Sequence, residues 1–188
     1  MITATKSPLD EYLSRQRAMY TEDRTLPDGT AQDSARANVD LMPRDGWILD
    51  AGCRCQSAQA VWAEAGLART VGIDLFPRID VHPGLLAVVG DIRRMPFPDS
   101  SFAAVNCRDT LEHVPDPDVA ASEMWRVLAP GGILVVDGPV GDGGYPAHYT
   151  VFGSEDDYRG LFPEGEPVAG ATAVLAIRKP GPPAGRST

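Results

Sequence analysis

At 188 residues the chain is long enough for one well-packed domain and too short for two ordinary ones, and 43% hydrophobic with 23% charged residues is the composition of a soluble globular protein. A formal net charge of −9 argues against nucleic acid as a partner, since a phosphate backbone is held by clustered Lys and Arg. No leader-like segment opens the sequence, no apolar run approaches the roughly 20 residues that span a bilayer, and an odd count of three cysteines suits a reducing compartment, so a cytoplasmic protein without a membrane partner is expected.

Residues 1–30 are polar, and only Leu9, Tyr12, Leu13 and Tyr20 could face a core. Ser7 as N-cap and Pro8 at the first helical position predict a helix over 8–20, lying as a lid or brace across strand ends. A second helix is predicted from Asp33 to Met42, stopped by Pro43 and the Asp45-Gly46 turn, which completes an N-terminal helical cap over 1–45. The apolar run Trp47-Ile48-Leu49 then ends in Asp50 and turns at Gly52, the pattern of a buried strand whose carboxyl end opens into a ligand-binding turn before a helix. Arg54 and Gln56 stand where further glycines of such a turn would fall. Ser57 can cap a helix through Ala65, stopped by Gly66.

A strand over Thr70–Ile73 ends at Asp74. Only about ten residues separate its end from the next apolar run, Leu85–Val89, which is too short for the usual crossover helix, so a loop or single turn is expected. Gly90-Asp91 ends that strand, and a Pro-rich connection leads to another over Phe102–Cys107. Asp116–Leu128 reads as a helix with Val119, Met124, Val127 and Leu128 mostly on one face and Pro130-Gly131-Gly132 as its stop. A strand over Ile133–Val136 ends at Asp137. A glycine-rich loop over 138–153 carries Tyr145, His148 and Tyr149, a short helix over Ser154–Phe162 and a strand over Ala173–Ile177 follow, and the tail over 180–188 is expected to be disordered. Strands alternating with helices or short connections give an α/β class: one domain over 46–179 with a doubly wound, mostly parallel sheet.

Four pieces carry a resemblance in fixed order: ILDAGCRCQ (48–56), VGIDLFP (71–77), VVGDIRRMPFPDSSFAAVNCRDTLEHVPDP (88–117) and EMWRVLAPGGILVVDGP (123–139). Together they resemble the class I S-adenosylmethionine-dependent methyltransferases, specifically the small ones whose fourth strand is followed by Leu-Glu-His-Val. The resemblance implies a Rossmann-like sheet of seven strands in the order 3-2-1-4-5-7-6, the seventh antiparallel, with S-adenosyl-L-methionine as cofactor and a small molecule as methyl acceptor. It implies Asp50 and Gly52 at the amino-acid end of the cofactor, with carbonyls of Asn106, Cys107 and Arg108 facing its ammonium. Asp74, with Leu75, falls at the ribose, and Asp91, with the Ile92 backbone, at the adenine. An acidic residue at a strand's carboxyl end, 24 positions after Asp50, can accept two hydrogen bonds from a ribose diol. Arg54 replaces a family glycine, and its side chain could pair with the cofactor's carboxylate or take its space; a positive φ there costs about 1 kcal/mol.

Methyl transfer from a sulfonium is an in-line displacement that needs alignment, and an alcohol or phenol acceptor gains from a base. His113 and His148 are the candidate catalytic residues, with Tyr145 and Tyr149 as walls of the acceptor pocket. In the ubiquinone-pathway O-methyltransferases a similar segment carries two acidic residues and a histidine that hold a divalent metal, and Asp109, Glu112 and His113 fall on matching positions, which helical spacing would place on one face. The reading adopted is a structural one, with Glu112 capping backbone, His113 packed and no metal assigned. Cys53, Cys55 and Cys107 could meet to hold zinc or form a disulfide, although free cysteine ordinarily behaves as a small buried hydrophobe. The expected function is O- or N-methylation of a metabolite or natural-product intermediate. Arg54, Gln56 and the short crossover motivate two alternatives: a partner or regulatory subunit without methyl transfer, or a repurposed cyclase or isomerase. A homodimer or a partner protein stays open.

Overall fold

The computed structural model of the chain describes residues 8–21, 29–78, 82, 84–141, 148–171 and 174–181. Helices α1 (Pro8–Thr21) and α2 (Gly29–Ala37) precede strand β1 (Ile48–Ala51). In chain order there follow α3 (Ser57–Glu64), β2 (Thr70–Asp74), β3 (Leu86–Val89), β4 (Phe102–Arg108), α4 (Pro117–Val127), β5 (Leu128–Asp137), α5 (Glu155–Gly160), β6 (Glu166–Pro167) and β7 (Leu175–Arg178). The strands make one sheet in the order β3-β2-β1-β4-β5-β7-β6, with β1 to β5 parallel and β7 antiparallel to both neighbours. This is the order that the four motifs imply.

Every residue of β1 and β2 is buried, as in a parallel sheet covered on both faces. Successive side chains feed two separate cores: Leu49, Val105, Leu134 and Ile177 pack on one face, and Ile48, Ala104, Val135 and Ala176 on the other with Trp62 of α3. The parallel pairing brings the carboxyl ends of β1, β2 and β4 to one edge, with Asp50 beside Gly72 and Asn106 in register. In open α/β sheets that edge is where ligands bind.

Several local expectations are corrected. The second helix ends at Ala37, and a separate 3₁₀ turn over Val39–Leu41 follows, because Asn38 bonds the Ser34 carbonyl through its own Nδ2 (3.0 Å) and leaves helical geometry. Gln56, not Ser57, occupies the N-cap of α3. Pro130-Gly131-Gly132 is no helix stop: α4 ends at Val127, and these residues lie within β5, where Gly131 takes φ +78° and the register with β4 shifts between Phe102 and Ala104. Val119 is exposed; α4 buries Ala120, Ala121, Met124 and Val127, the two alanines letting it sit close to the sheet. Strand β6, two exposed residues containing a proline, has no alternation to reveal it in sequence.

Ser154 does cap α5, through a reciprocal capping box with Asp157. The described residues between β2 and β3 form no helix, in keeping with the short count there. Ser7, Tyr145 and the tail from 182 lie outside the described residues. No helix among the described residues is long and apolar enough to cross a membrane.

Candidate active site

The turn after β1 is built on backbone that glycine would normally supply. Gly52 has φ +83°, and its N–H donates to the Ile73 carbonyl at 2.8 Å, tying the turn to β2. Arg54 and Gln56 then take φ +37° and +61°, so both non-glycine residues hold the left-handed conformation of the glycines they replace. The Arg54 N–H points at Asp74 Oδ2 (3.0 Å), and the Phe76 N–H at Asp74 Oδ1 (2.8 Å). Asp74 is buried, and both of its oxygens accept backbone hydrogen bonds at the strand end. Leu75 follows it half-buried.

Asp50 is also buried, at 4% exposure. Burial pushes its carboxyl up to about 6, an Asn106 hydrogen bond (2.8 Å) acts in the opposite direction, and the Asp74 charge raises it further. The two carboxylates thus share one field at adjacent strand ends.

Asp91 is held differently. The Arg93 guanidinium grips it through Nε (3.1 Å to both oxygens) and Nη2 (2.8 Å), and reaches Asp116 with Nη1 (3.0 Å). Ile92 beside it is buried. Tyr12 of α1 packs under this guanidinium, 4.6 Å from its ring centre. Burial pushes the Tyr12 phenol upward, and the charges of Asp91 and Asp74 add to that push. Tyr12 therefore lies within the field of both carboxylates, and α1 packs against the Arg93 side of the strand ends. Neither Arg93 nor Tyr12 was singled out as a site residue from sequence.

The segment after β4 lies beside these strand ends. Cys107 is buried in the core, and the Arg108 side chain pairs with Asp137 (3.0 Å) and Asp109 (3.4 Å). The Arg108 carbonyl accepts from the Thr110 hydroxyl (2.6 Å). Asp109 has φ +42° and precedes the 3₁₀ turn over Leu111–His113, so the helical face expected to hold Asp109 beside Glu112 and His113 does not form. Glu112 is buried, with Oε1 3.8 Å from His113 Nε2. The Tyr149 and Thr150 N–H groups both donate to the Glu112 carbonyl (2.7 and 3.2 Å), which brings the His148 ring to 4.7 Å from that of His113. Gln16 of α1 donates to the His113 carbonyl (3.0 Å), and Tyr149 meets Tyr12 edge-on at 5.7 Å.

The cysteines do not converge on a metal. All three are free thiols: Cys53 and Cys107 are buried, and Cys55 lies 3.2 Å from the Ser57 hydroxyl. Among the described residues, Glu112, His113 and His148 are the one grouping of histidine, cysteine or carboxylate side chains close enough to share an ion.

Residues 49–136, from β1 to the end of β5, match the family described as a methyltransferase domain. An uncharacterized methyltransferase of Mycobacterium sp. (strain KMS) is 33% identical over 134 residues, covering 66% of this chain and 52% of that protein. A 2-methyl-6-phytyl-1,4-hydroquinone methyltransferase of Synechocystis sp. is 32% identical over 106 residues, covering 52% of this chain and 33% of that protein. The chain spans about half or less of the length of these relatives. In fold it is similar to the Burkholderia thailandensis 1,6-didemethyltoxoflavin-N1-methyltransferase, solved with 1,6-didemethyltoxoflavin and S-adenosylhomocysteine, at a TM-score of 0.71 and 18% identity over 95% of this chain and 93% of that one. Sheet order and family match agree: residues 49–136 match the methyltransferase-domain family, and the sheet around them has the fold of solved methyltransferases.

Proposed function

We propose that the chain binds S-adenosylmethionine at the carboxyl ends of β1, β2 and β3 and transfers its methyl group to an oxygen or nitrogen of a small molecule. The observation that carries this reading is the turn itself. A glycine-rich turn that has lost two glycines would be expected to change shape, yet Arg54 and Gln56 keep positive φ, and the Arg54 N–H still faces the Asp74 carboxylate. The retained backbone fits the donor's ribose, with Asp74 as the hydroxyl acceptor. Asp50 and the Asn106–Arg108 strand end suit the ammonium, and Asp91 with the Ile92 N–H suits an adenine edge.

When bound, the donor supplies an electrophilic methyl on a sulfonium. The protein's own part is then alignment and exclusion of water. Tyr12 and the rest of α1 close the strand-end edge, joined to the acceptor side by Gln16 and Tyr149. His113 and His148 stand together on that side, where one of their ring nitrogens would take or weaken the acceptor's proton. With no large domain inserted among the described strands, a compact acceptor suits the space between α1 and the loop before α5. The mycobacterial and cyanobacterial relatives, both named as methyltransferases, support the reaction class.

The test is calorimetric titration with S-adenosylmethionine, followed by transfer of a labelled methyl to a panel of phenols, hydroquinones and amines. Saturating donor at a hundredfold over Kd should stabilise the fold by about 2.7 kcal/mol, and Asp74→Ala should abolish the shift. Absence of binding in the intact chain overturns the proposal.

A further inference from the structure

We propose that Glu112, His113 and His148 form a site for one divalent transition-metal ion of the zinc or cobalt type, on the acceptor side of the domain. Each residue offers a ligand atom, and the three atoms lie within 4.8 Å of one another. Two imidazoles and one carboxylate are the donor set that suits zinc, iron or cobalt rather than magnesium or calcium, which favour oxygen. A tetrahedral zinc with ligands at about 2.0–2.1 Å would draw the atoms to roughly 3.4 Å apart, a contraction within reach of side-chain rotation.

The set differs from the one that resemblance to the ubiquinone-pathway enzymes implies. Asp109 would be the third ligand there, but it sits at a left-handed residue outside the 3₁₀ turn, is 54% exposed and pairs with Arg108. His148, from a different part of the chain, takes the third place. The two residues that follow it are tied by hydrogen bonds to the Glu112 segment: Tyr149 and Thr150 N–H groups bond the Glu112 carbonyl, and the Thr150 hydroxyl bonds the Val114 carbonyl (3.4 Å). Gln16 holds the His113 carbonyl from the other side. The peptide groups of two ligands are therefore tied to one frame, as a preorganised site requires.

Glu112 gives a second reason. It is 2% exposed, and a carboxylate taken from water costs several kcal/mol unless cations or strong donors face it. One of its oxygens is turned to His113, and the other lies 3.4 Å from where a Cβ on Gly138 would stand, so the group bridges the 3₁₀ turn and the end of β5. A cation among the three side chains would sit against this buried carboxyl group.

Three protein ligands leave a fourth tetrahedral position open. An acceptor hydroxyl bound there would become more acidic, its O–H proton leaving to solvent while the oxygen lone pair faces the donor side. This consequence rests on the methyl-transfer reading, but the metal site does not, and it is tested without the donor.

The experiment is titration of the chelator-treated full chain with cobalt(II), followed by its visible absorption, with zinc competition by calorimetry. We expect saturation at one equivalent, d–d bands of a low-coordinate nitrogen/oxygen site with no thiolate charge-transfer band, and displacement by zinc. His148→Ala, in a half-buried loop, and His113→Asn should each weaken binding at least tenfold while keeping a cooperative melt, and Asp109→Ala should leave it unchanged. Lack of stoichiometric binding overturns the site. So does equal binding by His148→Ala, loss of binding in Asp109→Ala, or a thiolate band that puts the ion on the cysteines. Failure of this site with intact S-adenosylmethionine binding would leave the methyl-donor reading standing, and the reverse result would remove that reading alone.

Discussion

Asp50 and Asn106 face each other in register across β1 and β4, and the Asn106 amide donates to Asp50 Oδ1 at 2.8 Å inside the buried strand end. The bond favours the ionised carboxylate, but burial outweighs it, so the Asp50 carboxyl is pushed up to about 6. Burial of this carboxyl, 4% exposed, sets the stability of the fold against the ammonium binding proposed for it.

That opposition has a sign. Between the ordinary value of 3.8 and about 6, the folded chain keeps a proton on Asp50 that the unfolded chain has released. The group's stabilising contribution is present below the ordinary value and is lost as pH rises toward 6, by on the order of 2–3 kcal/mol. Urea unfolding of Asp50→Asn against the unaltered chain should therefore show a difference that grows in the variant's favour from pH 4 to 7. Asp137, which burial also pushes up, titrates in both proteins and cancels. A pH-independent difference contradicts the assignment. In the unaltered chain at pH 6, calorimetry in two buffers should also show proton release on S-adenosylmethionine binding, as an ammonium facing Asp50 favours its ionised form.

Arg54→Gly should stabilise the protein. Its φ of +37° is strained for arginine and free for glycine, so relief of about 1 kcal/mol is expected, less the extra freedom glycine gains in the unfolded chain. The backbone N–H that donates to Asp74 survives the change. Donor affinity should therefore stay within about threefold, whereas Asp74→Ala loses it. A tenfold loss in Arg54→Gly, measured by titration, would instead assign the guanidinium to the donor's carboxylate.

The parallel strands and their terminal carboxylates are legible in sequence because each is marked locally, by an apolar run that stops at Asp50, Asp74 or Gly90-Asp91, whereas the strand order is implied only by the resemblance of the four motifs. Contacts between distant segments carry no such mark. Arg93 gripping Asp91 and Tyr12 beneath it joins a loop to a helix far earlier in the chain, and no periodicity announces the meeting. His113 and His148 are each visible as candidates, but their juxtaposition depends on two backbone hydrogen bonds to the Glu112 carbonyl. Asp109 misleads for the opposite reason: helical spacing applies only while φ stays negative, and it turns positive there. At Gln56 a left-handed residue caps α3 in place of the more obvious Ser57, a conformation that sequence patterns do not announce for glutamine.

Gly52→Ala should be far more damaging than a one-carbon change suggests. A Cβ at Gly52 would stand 2.9 Å from Thr110 Cβ and closer still to the Thr110 hydroxyl and methyl, at a φ of +83°. A loss of about 2–4 kcal/mol is expected from overpacking and left-handed strain together. Adding Thr110→Ala removes the two closest atoms and should recover part of the stability, leaving a residual of about 1–2 kcal/mol from backbone strain and from the Cβ retained at position 110, 2.9 Å away. Full recovery in chemical denaturation would show that φ contributes nothing.

Tyr12→Ala tests whether α1 is held chiefly by one side chain. Tyr12 is 5% exposed, lies 4.6 Å from the Arg93 guanidinium and meets Tyr149 edge-on, while Gln16 supplies one hydrogen bond to the His113 carbonyl. Deleting a buried aromatic ring removes about 3 kcal/mol or more of packing, and here the loss falls on a terminal helix that can open without unfolding the sheet. Limited proteolysis read by mass spectrometry should show cleavage within residues 8–21 at least about tenfold faster in the variant, with the fragment over β1 to β5 equally protected in both. Saturating S-adenosylmethionine should slow that cleavage in the unaltered chain, as follows from the proposed donor site at the carboxylates whose field reaches Tyr12. Unchanged cleavage in Tyr12→Ala would mean that Gln16 and the rest of the helix hold the lid without it.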